Sequence, residues 1–163
     1  MKKRVFIFLS VLLFLTACSK KSQFFSTDAK ELSAVMHTKK GQLYSSLQIK
    51  ASITATYLNA ATKEFRKDPN EIFLISVFID NDSNTKKSGL FNESYTLTLN
   101  GKKAINIKKL KYEDDLIKIA PIRNQWSSYY LVKFKKDSSE KLKLEYKNED
   151  YGVTVLEYSK EFL

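Results

Sequence analysis

The sequence contains few side chains whose types and spacing could support catalysis or metal binding. It has one cysteine, Cys18, and one histidine, His37, which excludes internal disulfides and multi-cysteine metal clusters. The neighbours of His37 are Lys39 and Lys40 rather than a carboxylate, so no triad-like arrangement is visible. We therefore expect a protein that is not an enzyme and that uses no metal or other cofactor.

Two acidic runs are the remaining candidates for chemistry. Residues 80–84 resemble the start of a calcium loop, but Thr85 stands where that loop needs glycine and Phe91 where it needs glutamate. We expect a polar loop at the end of a buried strand instead. Residues 113–115 read Glu-Asp-Asp, and adjacent side chains point in different directions on a strand, which is poor geometry for an acid–base pair. A solvated turn or a helix cap is expected there.

The only thiol stands at the end of an N-terminal export signal. Lys2, Lys3 and Arg4 precede an apolar run from Val5 to Leu15. A helix of that length covers about 16 Å, roughly half of a bilayer core of about 30 Å. The pattern is typical of a secretory signal peptide rather than of a spanning helix.

The apolar run ends in Leu15-Thr16-Ala17-Cys18, which closely resembles the lipobox of bacterial lipoproteins. The resemblance implies that the signal is cut before Cys18, that its thiol receives a diacylglyceryl group and that the new amine is acylated. Attachment to the bilayer by two or three acyl chains is effectively permanent. An ordinary secretory signal followed by a chance cysteine is the alternative. In that family an aspartate after the cysteine favours the inner membrane, so Ser19 implies the outer membrane, with its periplasmic or exterior face left open.

The rest of the chain is predicted to be one domain on a short tether. Residues 1–17 are the signal peptide, residues 18–27 the lipidated tether and residues 28–163 the folded domain. A hydrophobic content of 43% and an aromatic content of 13% predict a folded core. All basic residues except Arg4, Arg66 and Arg123 are lysine, which argues against nucleic acid as a partner. Attraction to anionic lipid or glycan fits this composition.

Alternation of apolar and polar residues predicts about seven strands. Leu47–Tyr57 alternates along its whole length and is typical of a half-buried strand. Further strands are predicted at Glu71–Ile79, Ser94–Leu99, Ala104–Tyr112, Trp126–Phe134, Lys141–Lys147 and Val153–Phe162. Asn100-Gly101 predicts a type I′ hairpin turn between the third and fourth of these strands, and an apolar phase slip predicts a β-bulge near Lys108-Lys109.

The fold is predicted to be all-β, an antiparallel two-sheet sandwich that resembles an immunoglobulin domain, with a small barrel as the alternative. The Cys…Trp…Cys landmark of that fold is absent. At most one short helix is expected, at the N-terminus. It begins at a capping box formed by Asp28 and Glu31 and ends near Met36, although Ser33–Thr38 could instead be an edge strand.

The strand Glu71–Ile79 is apolar on both of its faces. Phe73, Ile75 and Val77 fill one face, so Ile72, Leu74 and Phe78 on the other need a separate cover. We consider three covers: the N-terminal helix or a loop, a docked partner protein or second copy, and an apolar ligand between splayed sheets. Trp126 and Tyr129 could extend the same patch, because aromatic side chains are favoured at interfaces. The candidate interaction face is therefore Ile72, Leu74, Phe78, Trp126 and Tyr129.

These features together predict a lipid-anchored protein of the cell envelope that is not an enzyme. Its immunoglobulin-like domain is expected to bind another envelope or surface protein, through main-chain edges and an apolar face. The alternative is a carrier or sensor of a hydrophobic ligand held between the sheets. Nucleic acid is not an expected partner, and the sequence leaves the oligomeric state open.

Overall fold

A computed structural model describes residues 29–81 and 87–160. The predicted signal peptide, the tether with Cys18 and most of the calcium-like loop lie outside the described residues, and so does Asp28 of the predicted capping box.

Nine strands are described, and they form two antiparallel sheets. In chain order they are β1 (Thr38–Ser45), β2 (Gln48–Tyr57), β3 (Asn70–Ile79), β4 (Tyr95–Leu99), β5 (Lys102–Lys103), β6 (Asn106–Leu110), β7 (Ser128–Lys135), β8 (Lys141–Asn148) and β9 (Gly152–Ser159). The first sheet has the order β1-β2-β3-β7-β6 and the second the order β5-β4-β8-β9. Helix α1 (Ala29–Met36) precedes β1, the four-residue helix α2 (Leu58–Ala61) follows β2, and short 3-10 helices span Gly89–Phe91 and Asp115–Ile119.

The strand order confirms the immunoglobulin-like sandwich. In the constant-type immunoglobulin fold, strands A, B, E and D form one sheet and C, F and G the other. Strands β2-β3-β7-β6 reproduce the first set and β4-β8-β9 the second, with β5 in the place of strand C′. Strand β1 is an addition before strand A. The chain thus has more strands than the seven predicted, and α2 and the 3-10 helices add to the predicted N-terminal helix.

The space between the sheets is filled by alternate side chains of their facing strands. On β7 these are Tyr130, Val132 and Phe134, and on β8 they are Leu142, Leu144 and Tyr146, as their alternation predicts. The ring of Phe73 lies at the centre of an aromatic group. Its centroid is 5.0 Å from that of Tyr57, 5.9 Å from that of Phe134 and 5.3 Å from that of Tyr158.

The strand predicted at Ala104–Tyr112 as the hairpin partner of β4 lies instead in the first sheet, as β6. Asn100 and Gly101 both have positive φ, 47° and 75°, so the predicted turn is confirmed, but only Lys102–Lys103 pairs back onto β4. The chain then crosses to the first sheet and pairs with β7.

The bulge predicted near Lys108-Lys109 is wrong, because the pairing of β6 with β7 is unbroken. The apolar phase slip has another cause. Ile107 packs between the sheets, whereas Leu110 lies on the opposite face of the first sheet, in a second apolar cluster. One short strand therefore contributes to two cores.

Strand β1 was not predicted, because its apolar signal is weak. It is an edge strand in which only Gly41 and Leu43 are buried. At Gly41 the edge comes close to β9: a Cβ added there would meet the side chain of Thr154. Contacts between β1 and β9 close the sandwich along this side.

We predict that Gly41→Ala destabilises the domain by about 1–3 kcal/mol, because threonine is stiff at χ1 and cannot move away freely. Adding Thr154→Ala in the same chain should recover part of the loss. Urea denaturation of both single variants and the double variant measures the coupling. Strictly additive effects would contradict this close approach.

Candidate functional site

The outer face of β3 is covered by two connections of the chain itself, residues 58–69 and residues 111–127, which we call the covering layer. Helix α1 packs against this layer and against β2. Beneath the covering layer lies the second apolar cluster, whose buried members are Leu58, Ile72, Leu74, Leu110, Ile117, Ala120 and Tyr129. The first sheet is therefore buried on both faces along β3.

This burial corrects the predicted interaction face. Ile72, Leu74 and Tyr129 are at most 2% exposed, so a partner could contact them only by displacing the covering layer. Phe78 is half-buried, and Trp126 is 73% exposed. The five residues thus do not form one surface, and Trp126 alone remains open to a partner. Of the three covers considered, loops of the chain itself account for the outer face.

A buried asparagine holds the first part of the covering layer in place. The Asn59 side chain donates to the carbonyl oxygens of Phe65, at 3.0 Å, and of Asn70, at 2.9 Å. Its Oδ1 accepts a 2.7 Å hydrogen bond from the backbone N–H of Ile72. The structural role of Asn59 is not predicted from the sequence, since a single asparagine in a polar connection carries no signal of burial.

The acidic run at residues 113–115 also serves the covering layer. Oδ1 of Asp114 accepts a hydrogen bond from the backbone N–H of Leu116 at 3.1 Å and caps the 3-10 helix. Of the two structures expected for this run, a solvated turn and a helix cap, the helix cap is therefore present. Asp115 pairs with Lys118 at the exposed surface, and that hydrogen bond lowers the pKa of Asp115. Among the described residues no group of three or more His, Cys, Asp and Glu side chains could hold a metal ion.

A buried polar network ties the two sheets together at the end where β3 begins. The Tyr57 hydroxyl donates to Oε2 of Glu71 at 2.6 Å, and Lys160 donates to Oε1 of Glu71 at 2.6 Å. Lys160 also donates to the carbonyl oxygen of Asp137 at 2.6 Å. Burial, reinforced by the hydrogen bond to Glu71, raises the pKa of Tyr57 well above its usual range. These groups are engaged with one another, as the buried parts of a structural network must be.

The carboxylate of Asp137 extends the network towards the surface. Its Oδ2 lies 2.9 Å from Nζ of Lys102, and its Oδ1 accepts from the backbone N–H of Ser139 at 2.9 Å. The hydrogen bond from Lys102, followed by those from Ser139, holds the pKa of Asp137 well below its usual range. The β4–β5 turn and the β7–β8 turn are thereby joined.

The charges divide unequally between the two ends of the sandwich. At the end with the β2–β3 connection and the β4–β5 and β7–β8 turns, the exposed cations are Lys63, Arg66, Lys67, Lys102, Lys103, Lys135, Lys136 and Lys141. Three acids there are paired, because Asp68, Glu71 and Asp137 contact Lys133, Lys160 and Lys102, and two further acids, Glu64 and Glu140, are exposed. We call this the basic end. At the opposite end Asp80 and Glu93 pair with lysines, while Glu149 and Asp150 are exposed.

The β1–β2 hairpin projects from the end opposite the basic end. Ala51 pairs with Ile79, the last residue of β3, so the part of β2 before Ala51 extends past its neighbour. Leu47 is 99% exposed in the turn, and Tyr44 and Ile49, which are register partners, are both exposed. We call Tyr44, Leu47 and Ile49 the hairpin tip. Trp126 lies at the same end, two residues before β7.

Helix α1 exposes a second apolar surface. Leu32, Val35 and Met36 are all more than half exposed, and their spacing of three and four residues puts them on one face of the helix. Ala34 is buried on another face, and the Thr38 hydroxyl donates to its carbonyl oxygen at 2.6 Å. The helix packs on α2 and on the 3-10 helix Asp115–Ile119. We call Leu32, Val35 and Met36 the helix surface.

The comparisons with other proteins leave the family of this chain open. Comparing the chain with protein-family models, with curated proteins and with solved structures gives no significant match. Within residues 29–81 and 87–160, no helix has both the length and the apolar character needed to cross a membrane.

We predict that Leu74→Asp unfolds the domain, whereas Trp126→Asp does not. A carboxylate at position 74 would be buried without a partner, which costs more than about 3 kcal/mol. At the exposed position 126 the same change should alter the unfolding free energy by less than about 1 kcal/mol. Urea denaturation followed by circular dichroism compares the two. A Leu74→Asp variant as stable as the parent would show that the covering layer does not bury this side chain.

We also predict that Asp137 contributes to the pH dependence of stability. Because its pKa is lower in the folded state than in the unfolded state, its ion pair stabilises the fold above about pH 4, and this is lost as the pH falls further. Asp137→Asn should lower the unfolding free energy at neutral pH by about 1 kcal/mol, since Lys102 is largely exposed and its attraction is screened. The variant should also lose less stability between about pH 4 and pH 2.

Denaturation across this pH range provides the test, with Glu140→Gln in the same turn as the matched control. The side chain of Glu140 is exposed, so its removal should change stability by less than about 0.5 kcal/mol. A pH profile of Asp137→Asn that runs parallel to that of the parent would contradict the assignment.

Proposed function

We propose that this chain is a lipid-anchored protein of the bacterial cell envelope that binds another envelope or surface protein through its hairpin tip. The observation that carries the binding role is the projecting β1–β2 hairpin, with Leu47 almost fully exposed between the exposed side chains of Tyr44 and Ile49. Binding rather than catalysis is proposed, because Tyr57, Glu71 and the acidic run all serve structural contacts.

The anchoring half of the proposal rests on the lipobox. Cys18 is the only thiol and follows Leu15-Thr16-Ala17 at the end of the apolar signal. The eleven residue steps from Cys18 to Ala29 span at most about 36–40 Å when fully extended. A domain attached in this way stays close to the bilayer, which we propose to be the outer membrane, on its periplasmic or exterior side.

The hairpin tip is suited to protein binding because its apolar groups are held on a paired β-hairpin. Ser46 takes a positive φ of 54° in the turn, and Lys50 pairs with Asp80 at 2.9 Å where the hairpin leaves the sheet. A preformed hairpin orders little on binding, so more of the contact energy appears as affinity. Trp126 at the same end adds an aromatic group of the kind that is enriched in binding hot spots.

The carrier alternative lacks a supporting observation of this kind. It would require room between the sheets for a hydrophobic ligand. That space is occupied by packed side chains, and the ring of Phe73 contacts those of Tyr57, Phe134 and Tyr158.

We predict that a photoreactive phenylalanine at position 47 of the full chain, in its own cells, crosslinks to one discrete envelope protein. The matched control is the same amino acid at Ile105, which is exposed and apolar but precedes β6 near the basic end. With the photoreactive phenylalanine placed at position 44 instead, the change Leu47→Asp should lower the yield of crosslinked adduct by about tenfold or more, as expected for a hot-spot residue. Its stability should stay within about 0.5 kcal/mol of the parent.

The same cells carrying Cys18→Ser report on anchoring, because that variant should leave the membrane fraction. Equal crosslinking from positions 47 and 105, or none from position 47 in an anchored protein, would contradict the proposed binding role. Membrane retention of the Cys18→Ser chain would contradict the proposed anchor.

A further inference from the structure

We infer that the helix surface and the neighbouring cations contact the anionic lipid leaflet to which the chain is anchored, and thereby orient the domain. This inference rests on the proposed anchoring through Cys18. It assigns a lipid surface to Leu32, Val35 and Met36, and it assigns electrostatic attraction to Lys63, Arg66 and Lys67.

The apolar part of this surface has the form of a short interfacial helix. Leu32, Val35 and Met36 project from one face of α1 and are more than half exposed. The other side of α1 is fixed to the domain, because Ala34 is buried and Thr38 bonds to its carbonyl oxygen. Side chains on a helix that is already folded and docked can enter the headgroup region without any cost of ordering the backbone.

The charged part lies next to the helix because of how the chain connects. Helix α1 packs on α2, and Lys63, Arg66 and Lys67 follow α2 in the β2–β3 connection, where all three are exposed. Asp68 is paired with Lys133 at 3.6 Å, so the exposed Glu64 is the acid that offsets them, and three cations against one acid leave a net charge of +2. Each lysine held near an anionic leaflet contributes about 1 kcal/mol of attraction.

The short distance along the chain between Cys18 and α1 favours a bilayer, rather than another binding partner, as what contacts the helix surface. Helix α1 is the first element after the tether, and at most about 36–40 Å of extended chain separates Ala29 from Cys18. Tethering makes the contact intramolecular, so a weak surface suffices to hold one orientation.

A second copy of the chain is a poorer occupant for two physical reasons. Two copies meeting at this surface would bring the same three cations together. In addition, three side chains on an eight-residue helix are far less than the 20–30 residues per partner, roughly, of a stable interface.

Contact at the helix surface would leave the hairpin tip free for its partner. The cations and the hairpin tip lie at opposite ends of the strands, and β3 alone, with ten residues, spans about 30 Å. The same contact would therefore hold the binding hairpin away from the lipid.

The test uses the full lipidated chain, purified from its own membranes and reconstituted into vesicles. Val35→Cys and, in a second protein, Leu47→Cys are labelled with an environment-sensitive fluorophore. Vesicles of phosphatidylcholine with phosphatidylglycerol, and of phosphatidylcholine alone, carry spin-labelled lipid as the quencher. We expect quenching at position 35 in the anionic vesicles, weak quenching there in neutral vesicles, and little at position 47 in either.

The charge requirement is tested with Lys63→Gln/Lys67→Gln in the Val35→Cys protein. This change should lower the equilibrium constant for contact by about thirtyfold, the equivalent of two lysines at about 1 kcal/mol each. The matched control Lys143→Gln/Lys147→Gln removes the same charge from exposed positions on β8 and should leave quenching unchanged.

Separate results would overturn the inference and the proposed anchor. The parent chain has no thiol besides Cys18, so labelling of the parent would contradict the anchor itself. An unlabelled parent with equal quenching at positions 35 and 47 would overturn the helix contact while leaving the anchor in place. Quenching at position 35 that is equally strong in anionic and neutral vesicles would also overturn the inference. Self-quenching between labels at position 35 would overturn it too, because it would show that the helix surface binds a second copy of the chain.

Discussion

A strand with apolar side chains on both faces must be buried on both faces, and β3 imposes this constraint on the whole domain. The second sheet buries Phe73, Ile75 and Val77. No third sheet exists among the described residues to bury Ile72 and Leu74, so connections between strands do so. The long connections around α2 and the 3-10 helix are therefore parts of the core. The outer face of β3 is therefore closed to a binding partner.

Burying connections requires partners for their polar groups, since an unpaired donor or acceptor away from water costs about 1–3 kcal/mol. Asn59 meets this requirement for the β2–β3 connection by bonding two carbonyl groups and one N–H group. Glu71 and Lys160 do so where the sheets meet, with Tyr57 satisfying the second carboxylate oxygen. The polar residues that look most like catalytic candidates are thus the ones on which the covering layer and the closed sandwich depend.

Much of the fold follows from local patterns, whereas the candidate sites depend on long-range packing. Alternation along β2, β7 and β8 predicts their buried faces, and Asn100-Gly101 predicts its turn because both residues need positive φ. Alternation alone cannot show that β2 extends beyond the end of β3. Leu47 therefore falls at an apolar position of the predicted strand but is 99% exposed in the structure. It also cannot show that the outer face of β3 is covered by segments distant in sequence, which is why Ile72, Leu74 and Tyr129 were expected at an interface. Strand β1 is not predicted, because its two buried residues are too few to form a recognisable alternation of apolar and polar positions.

The proposed role depends on attachment of this sandwich to a bilayer through Cys18, with one end of the domain near lipid and the hairpin tip away from it. Intact-mass and peptide mass spectrometry of the protein isolated from its own membranes tests this most directly. We predict a mature chain that begins at Cys18, with a diacylglyceryl group on the thiol and an acyl chain on the new amine. A chain that retains Met1, or a Cys18 with an unmodified thiol, would contradict the account.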